Sequence, residues 1–304
     1  MQAEPAHTPY SGASTPFTIG LKPLDLATWL EIDAHYGAYL EEKDRLIAEK
    51  PHDVFAAEDG TAEAQQEVLG LVRQDLAVRT PRLADLPTRA LVEARLACAG
   101  DNEPDLQRAA RLIQEDLVLM RRDERGWRLA AASLCFPSSW NLTDKFSRPL
   151  TEIHVPVPGF GPGTRNAELI DRIFDRLLVT APVERLNWSI QPDAGRHKPM
   201  TVDARGERGR VRPSRFADAA AAAAAFIRVE RQTLRKLPVS GDILFTIRIH
   251  VDPFAVLERH AHRKALATSF AAQLGGLDTA QLDYKGLTSD RDLLVSALQA
   301  IAEG

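Results

Sequence analysis

The sequence predicts an α+β fold on three observations. Apolar residues recur at helical spacing through most of the first 125 positions. After Trp127 the pattern changes to short apolar runs punctuated by Pro and Gly, and helical spacing returns at the C-terminus. The chain has 304 residues, 44% hydrophobic and 26% charged, which suits a globular protein that needs no disulfide staples. A formal charge of -4 gives no reason to expect nucleic acid or an acidic membrane surface as a partner. Neither a secretory leader nor a run long enough to cross a bilayer is visible, so a cytoplasmic location is expected. Cys98 and Cys135 lie far apart without a C-x-x-C pattern, which argues against a zinc knuckle or an iron–sulfur centre on this chain.

Residues 1–16, rich in Pro, Ser, Thr and Ala, read as a flexible tail. In LKPLDLATWLEIDAHYGAYLEEKDRLIAEK, Leu26, Trp29, Leu30 and Ile32 share a helical face. AEAQQEVLGLVRQDLAVR and TRALVEARLAC read as further helices. NEPDLQRAARLIQEDLVLMRRDERG reads as the clearest helix, with a stripe of Leu106, Ala110, Leu112, Ile113 and Leu117 that leaves Glu115 and Asp116 on the helix surface. WRLAAASLCFPSSW is expected to be a buried strand, and EIHVPVPGF extended, because proline disfavours helix in the residue before it. NAELIDRIFDRLL returns to helix and ERLNWSI to strand. The basic stretch GRHKPMTVDARGERGRVRPSR reads as a loop or mobile insertion. FIRVERQTLRKLP and SGDILFTIRIHVDPF form a hairpin across a Pro-Val-Ser-Gly turn, with Ile243, Phe245, Ile247 and Ile249 alternating against Leu244, Thr246, Arg248 and His250. LERHAHRKALATSFAAQL and DRDLLVSALQAIAEG close the chain as helices. One domain is expected over residues 17–304, with a helical extension to about 125 and an α+β core from about 126 to 304.

Few residues stand out as chemistry. His154, between an apolar run and Pro-Val-Pro-Gly, suits a turn, a satisfied core position or a metal ligand. His260 and His262 fall on different faces of a helix and cannot form an i, i+4 metal pair. Haem iron is the metal centre that needs only one protein imidazole. In RVERQTLRKLP, strand alternation puts Arg228, Glu230 and Gln232 on one face and Val229, Arg231 and Thr233 on the other. Such a strand is either a solvated face with cross-strand ion pairs or the wall of a polar cavity. Cys135 sits in apolar surroundings that suit a structural thiol, and PGFGPG lacks the lysine of a phosphate loop.

GLKPLD, LIQEDLVLM, LAAASLCFPSSWNLTDKFSRPLTEIHVPVPGF, RLNWSI, RVERQTLRKLP and SGDILFTIR, in that order over roughly residues 17–300, resemble the alpha subunit of haem-dependent oxidative N-demethylase. The resemblance implies a PAS-like haem-binding domain and a monooxygenase that oxidises a small secondary amine, dimethylamine, with O2, to methylamine and formaldehyde. It further implies haem b on this chain. NADPH, FMN and an iron–sulfur centre are expected only on partner subunits, and tetrahydrofolate is an acceptor for the one-carbon product. On that resemblance His154 is the expected axial ligand, with His250 the fallback. Arg228 or Arg231 would anchor a propionate or polarise oxygen, and Glu230 would hold the cationic amine. Asn187 and Thr233 would supply hydrogen bonds to the bound cofactor and substrate. A non-catalytic haem-binding gas or redox sensor, or a scaffold that has lost haem, are the alternatives.

Overall fold

Period-two alternation and glycine turns build a seven-stranded antiparallel sheet, seen in a computed structural model that describes residues 4–12, 15–98, 102–200 and 213–304. The strands are β1 (Lys22–Pro23), β2 (Phe55–Ala57), β3 (Asp116–Asp123), β4 (Gly126–Ser133), β5 (Val183–Gln191), β6 (Phe226–Lys236) and β7 (Ile243–Pro253). Their spatial order is β1-β5-β6-β7-β3-β4-β2. The β6–β7 hairpin pairs from Phe226↔Pro253 to Lys236↔Ile243, and Gly241 takes a φ of 74° in its turn, where a side chain would strain the backbone. β4 takes up the first half of the expected strand WRLAAASLCFPSSW, pairing with β3 and β2, and ends at Ser133, so residues 134–140 run on outside the sheet.

Helices cover both faces. α1 (Tyr36–Glu49), α2 (Ala62–Arg79), α3 (Leu86–Ala97) and α4 (Asp105–Ala110) precede the central strands. α5 (Leu150–Ile153) and α6 (Arg165–Arg176) lie between β4 and β5, and α7 (Arg263–Gly275), α8 (Thr279–Lys285) and α9 (Arg291–Glu303) end the chain. Three apolar cores result. One, around Phe270, Leu274 and Leu298, backs Trp188 and Val229; a second, around Trp29, Val68 and Leu106, backs Leu117 and Leu244. The third, around Phe136, Leu150 and Phe174, meets Val118, Leu129 and Ile247 on the other sheet face.

Four expectations need correction. The stripe from Leu106 to Leu117 is not one helix: α4 stops at Ala110 and β3 begins at Asp116. β3 lies between β7 and β4 and is buried from Asp116 to Met120, so it reads as a continuous apolar run that periodicity cannot separate from helix. Glu115 and Asp116 are accordingly fully buried rather than on a helix surface. Asp116 accepts backbone hydrogen bonds from Cys135 (2.9 Å) and Phe136 (2.7 Å), with Lys43 Nζ at 3.8 Å, and burial raises its carboxyl. Helix α1 starts only at Tyr36, because residues 28–33 give their backbone groups to side chains of the sheet instead: Glu31 N–H donates to Glu115, and Arg231 donates to the Thr28 and Trp29 carbonyls. His154 does not lie in an extended segment: it caps α5 with φ −92° and ψ −3°. The prolines at 156 and 158 restrict Val155 and Val157, so they end the helix after His154 without flattening it.

The N-terminal residues are also held more firmly than their composition suggests. Tyr10 is fully buried and stacks on Phe270 at 4.3 Å, because one aromatic side chain anchors where composition offers no periodicity. Most of the basic insertion, 201–212, lies outside the described residues.

Candidate functional site

Five strands present one face of the sheet to a cavity of about 500 Å³. Val118, Leu129, Asn187, Glu230 and Phe245 stand on its floor, one from each of β3 to β7. α5, α6 and residues 17–21 supply its apolar walls, through side chains such as Phe17, Ile153 and Phe174.

His154 lines this cavity. Its position follows from the short α5: the backbone N–H of His154 donates to the Leu150 carbonyl at 3.1 Å, and ring Nδ1 lies 3.0 Å from the same oxygen. A carbonyl only accepts, so Nδ1 carries the proton and the neutral ring keeps its lone pair on Nε2. Burial, helped by the charge of Lys145, pushes the imidazole pKa down to about 4. At neutral pH the side chain is therefore an uncharged donor facing an apolar space.

A polar corner lies on β5, β6 and α8. Glu230 accepts from Gln232 Nε2 at 3.1 Å and from Arg228 Nε at 3.4 Å. Arg185 is nearly buried, its Nε has no hydrogen-bond partner, and burial lowers its basicity. Lys285 is buried between the Trp188 and Phe17 rings, with Nζ 4.5 and 5.0 Å from their centroids. It donates to the Trp188 carbonyl and to Asn187 Oδ1 (3.4 Å). Burial pushes its pKa down to about 7, against the opposing pull of Glu230. Helix α8 delivers this lysine because Asp278 and Gln281 form a capping box at its start, and Gly286, with φ 65°, ends it directly afterwards.

Three of the residues singled out in the sequence, His154, Asn187 and Glu230, therefore line one cavity. Arg228 shares the strand face of Glu230 but is fully buried and committed to carbonyls, those of Phe136 (2.6 Å) and Arg196 (2.9 Å). Arg231 and Thr233 are on the opposite face. Arg231 pairs with Glu184 at 2.6 Å and holds the backbone of Thr28 and Trp29, and Thr233 shares a hydrogen bond with Thr246 at 2.6 Å. His250 is also on that face, 2.9 Å from Glu31, and does not line the cavity. Buried Cys135, its thiol pushed up to about 12 by desolvation, is no nucleophile. Sequence reasoning missed Arg185 and Lys285. The alternation that places Asn187 also places Arg185, but nothing local marks a lysine delivered from a helix nearly 100 positions away.

The antiparallel sheet, one neutral imidazole and a polar corner of Arg185, Glu230 and Lys285 surround a largely apolar cavity of the size of a ligand-binding pocket. Residues 20–295 match the model of the family described as haem-dependent oxidative N-demethylase, alpha subunit-like, and the chain belongs to that family. The family description makes haem dependence and a multi-subunit setting properties of the family. The cavity fits such a group on its own chemistry. His154 offers one imidazole nitrogen, Nε2, of the kind haem iron takes as a ligand, with Nδ1 held by a backbone carbonyl. The buried, unpartnered Arg185 Nε is suited to an acidic side chain of the porphyrin. Among the described residues, no helix is long and apolar enough to cross a membrane.

Proposed function

We propose that this chain is the haem b-carrying, oxygen-activating subunit of an amine monooxygenase, and that His154 is its axial ligand. The observation that carries the reading is the neutral His154 ring, with Nδ1 fixed on the Leu150 carbonyl, in the wall of the cavity on the sheet. The reading takes residues 17–304 as one PAS-like domain in the cytoplasm. When bound, haem supplies the oxygen-activating and oxidising chemistry.

The chain's own residues then bind and orient. The Glu230 carboxylate receives a small secondary ammonium ion such as dimethylammonium, and Gln232 holds that carboxylate in place at 3.1 Å. Lys285 Nζ, with a pKa of about 7, gives up its proton readily when a second cation enters, which limits like-charge repulsion in the cavity. Arg185, whose buried Nε has no hydrogen-bond partner, would hold an acidic group of the cofactor. The apolar walls exclude water and leave room for methyl groups but offer few hydrogen bonds, so a small dialkylamine fits better than a polyol. Electrons would come from NADPH through partner subunits that carry FMN and an iron–sulfur centre, as the family resemblance implies; the two cysteines of this chain, one exposed and one buried, are too few for a four-cysteine cluster.

The test combines an amine titration of the haem protein with NADPH consumption in the presence of flavin and iron–sulfur donor proteins. An amine-induced spectral shift together with amine-dependent NADPH oxidation supports the reading. A haem spectrum that no amine perturbs, with no turnover, replaces it with a gas- or redox-sensing module.

A further inference from the structure

On the sheet face opposite the cavity, three side chains from distant parts of the chain converge. His7 Nε2 lies 2.6 Å from one carboxylate oxygen of Glu31, and His250 Nε2 lies 2.9 Å from the other. The donor atoms of the three residues all lie within 4.8 Å of one another. His250 is fixed on β7, Glu31 lies in the segment that Arg231 and Glu115 tie to the sheet, and His7 comes from the N-terminal residues beside the buried Tyr10.

We infer that His7, Glu31 and His250 bind a divalent first-row metal ion, zinc by preference, separate from the haem cavity. Two imidazoles and one carboxylate are a borderline N/O donor set that selects zinc over magnesium or calcium, with water completing the shell. Charge bookkeeping around the trio agrees. Arg248 is paired with Asp33 at 2.6 Å, and Arg231 with Glu184 at 2.6 Å. Arg231 Nε reaches Glu31 at 3.7 Å, farther than either imidazole, so the two histidines are the nearest partners of the Glu31 carboxylate. Behind it, Glu115 accepts the Glu31 N–H through one oxygen, while its second oxygen is buried without a partner. A bound cation would sit on the Glu31 carboxylate, whose charge the neighbouring Glu115, raised toward its neutral form by burial, does not duplicate. His7 and Glu31 each keep about 23% side-chain exposure, which leaves a route for the ion and for a water ligand. The ion would staple the N-terminal residues to β7, giving a segment of low intrinsic order a fixed anchor.

The experiment uses the full-length protein, stripped with a chelator, dialysed, and titrated with zinc chloride against a chromophoric competitor. One equivalent of zinc, beyond any haem iron measured by elemental analysis, is expected. His7→Ala and Glu31→Gln should each weaken zinc binding at least roughly 100-fold, since even outer-shell changes cost 10- to 100-fold. His7→Ala removes a surface-reachable side chain and leaves His154 untouched, so an unchanged haem spectrum separates this result from the fate of the haem reading. Wild-type protein that binds no zinc, or binds it as tightly as both variants, overturns the inference and leaves a hydrogen-bonded His–Glu–His cluster.

Discussion

Replacing Arg231 with methionine separates a scaffold role from a catalytic one for the most charge-dense strand in the chain. Arg231 is 3% exposed, pairs with Glu184 at 2.6 Å and donates to the carbonyls of Trp29 and Thr28, both at 2.9 Å. Removing one partner of a buried ion pair costs about 3–5 kcal/mol, and each orphaned buried carbonyl roughly 1–3 kcal/mol. Glu184 keeps a second cation, Lys22 at 3.0 Å, and the methionine stem retains the packing, so each contribution falls at its low end and the total is about 5 kcal/mol. Urea unfolding followed by far-ultraviolet circular dichroism and tryptophan fluorescence measures this as a lower midpoint at unchanged slope. The haem spectrum and amine response of the folded fraction should match wild type, because Arg231 is on the face away from the cavity. A variant within about 0.5 kcal/mol of wild type that nevertheless loses its amine response would refute the reasoning and return Arg231 to the chemistry.

Other perturbations act at the cavity itself. Glu230→Gln keeps the shape and the Gln232 contact but removes the charge; amine affinity read from spectral titration should fall roughly tenfold to a hundredfold, the worth of a charge-assisted hydrogen bond. Lys285→Met should remove an inflection near pH 7 from the pH profile of amine binding, as it deletes the group whose pKa is about 7, while Glu230 stays in place. His154 makes the haem-free protein acid-sensitive. Its folded pKa of about 4 lies below the unfolded value of 6.5, so the unfolded chain binds the extra proton first and stability falls as pH drops from about 6.5 to about 4. The loss, about 3 kcal/mol at 1.36 kcal/mol per unit, should be smaller in His154→Phe, as measured by urea midpoints across that range.

Much of the architecture is legible in the sequence because its signals are local. The β6–β7 hairpin announces itself through alternation and a glycine turn, and α6 and α9 through apolar spacing. The same alternation puts Glu230 and Gln232 on one side and Arg231 and Thr233 on the other, as their contacts show. What alternation cannot say is which side meets a cavity and which meets a charged clamp, since that depends on what packs over each face. Arg231 and Arg228 look alike in sequence, yet one holds the segment after β1 and the other the loop after β4. β3 was hidden because a strand buried on both faces carries no alternation. His7 and Lys285 carry no local signal at all, for His7 meets Glu31, 24 residues on, and His250, far along the chain on β7, while Asn187, a partner of Lys285, lies 98 residues away.

The most direct test of the central claim is the absorption spectrum of protein produced with ample haem, beside His154→Ala. A sharp haem band in the wild type that is lost or shifted in the variant is the predicted result, with rescue by added imidazole as a check on ligation. A variant with the wild-type spectrum would contradict the axial-ligand assignment, and a wild-type protein that takes up no haem would contradict the proposed function itself.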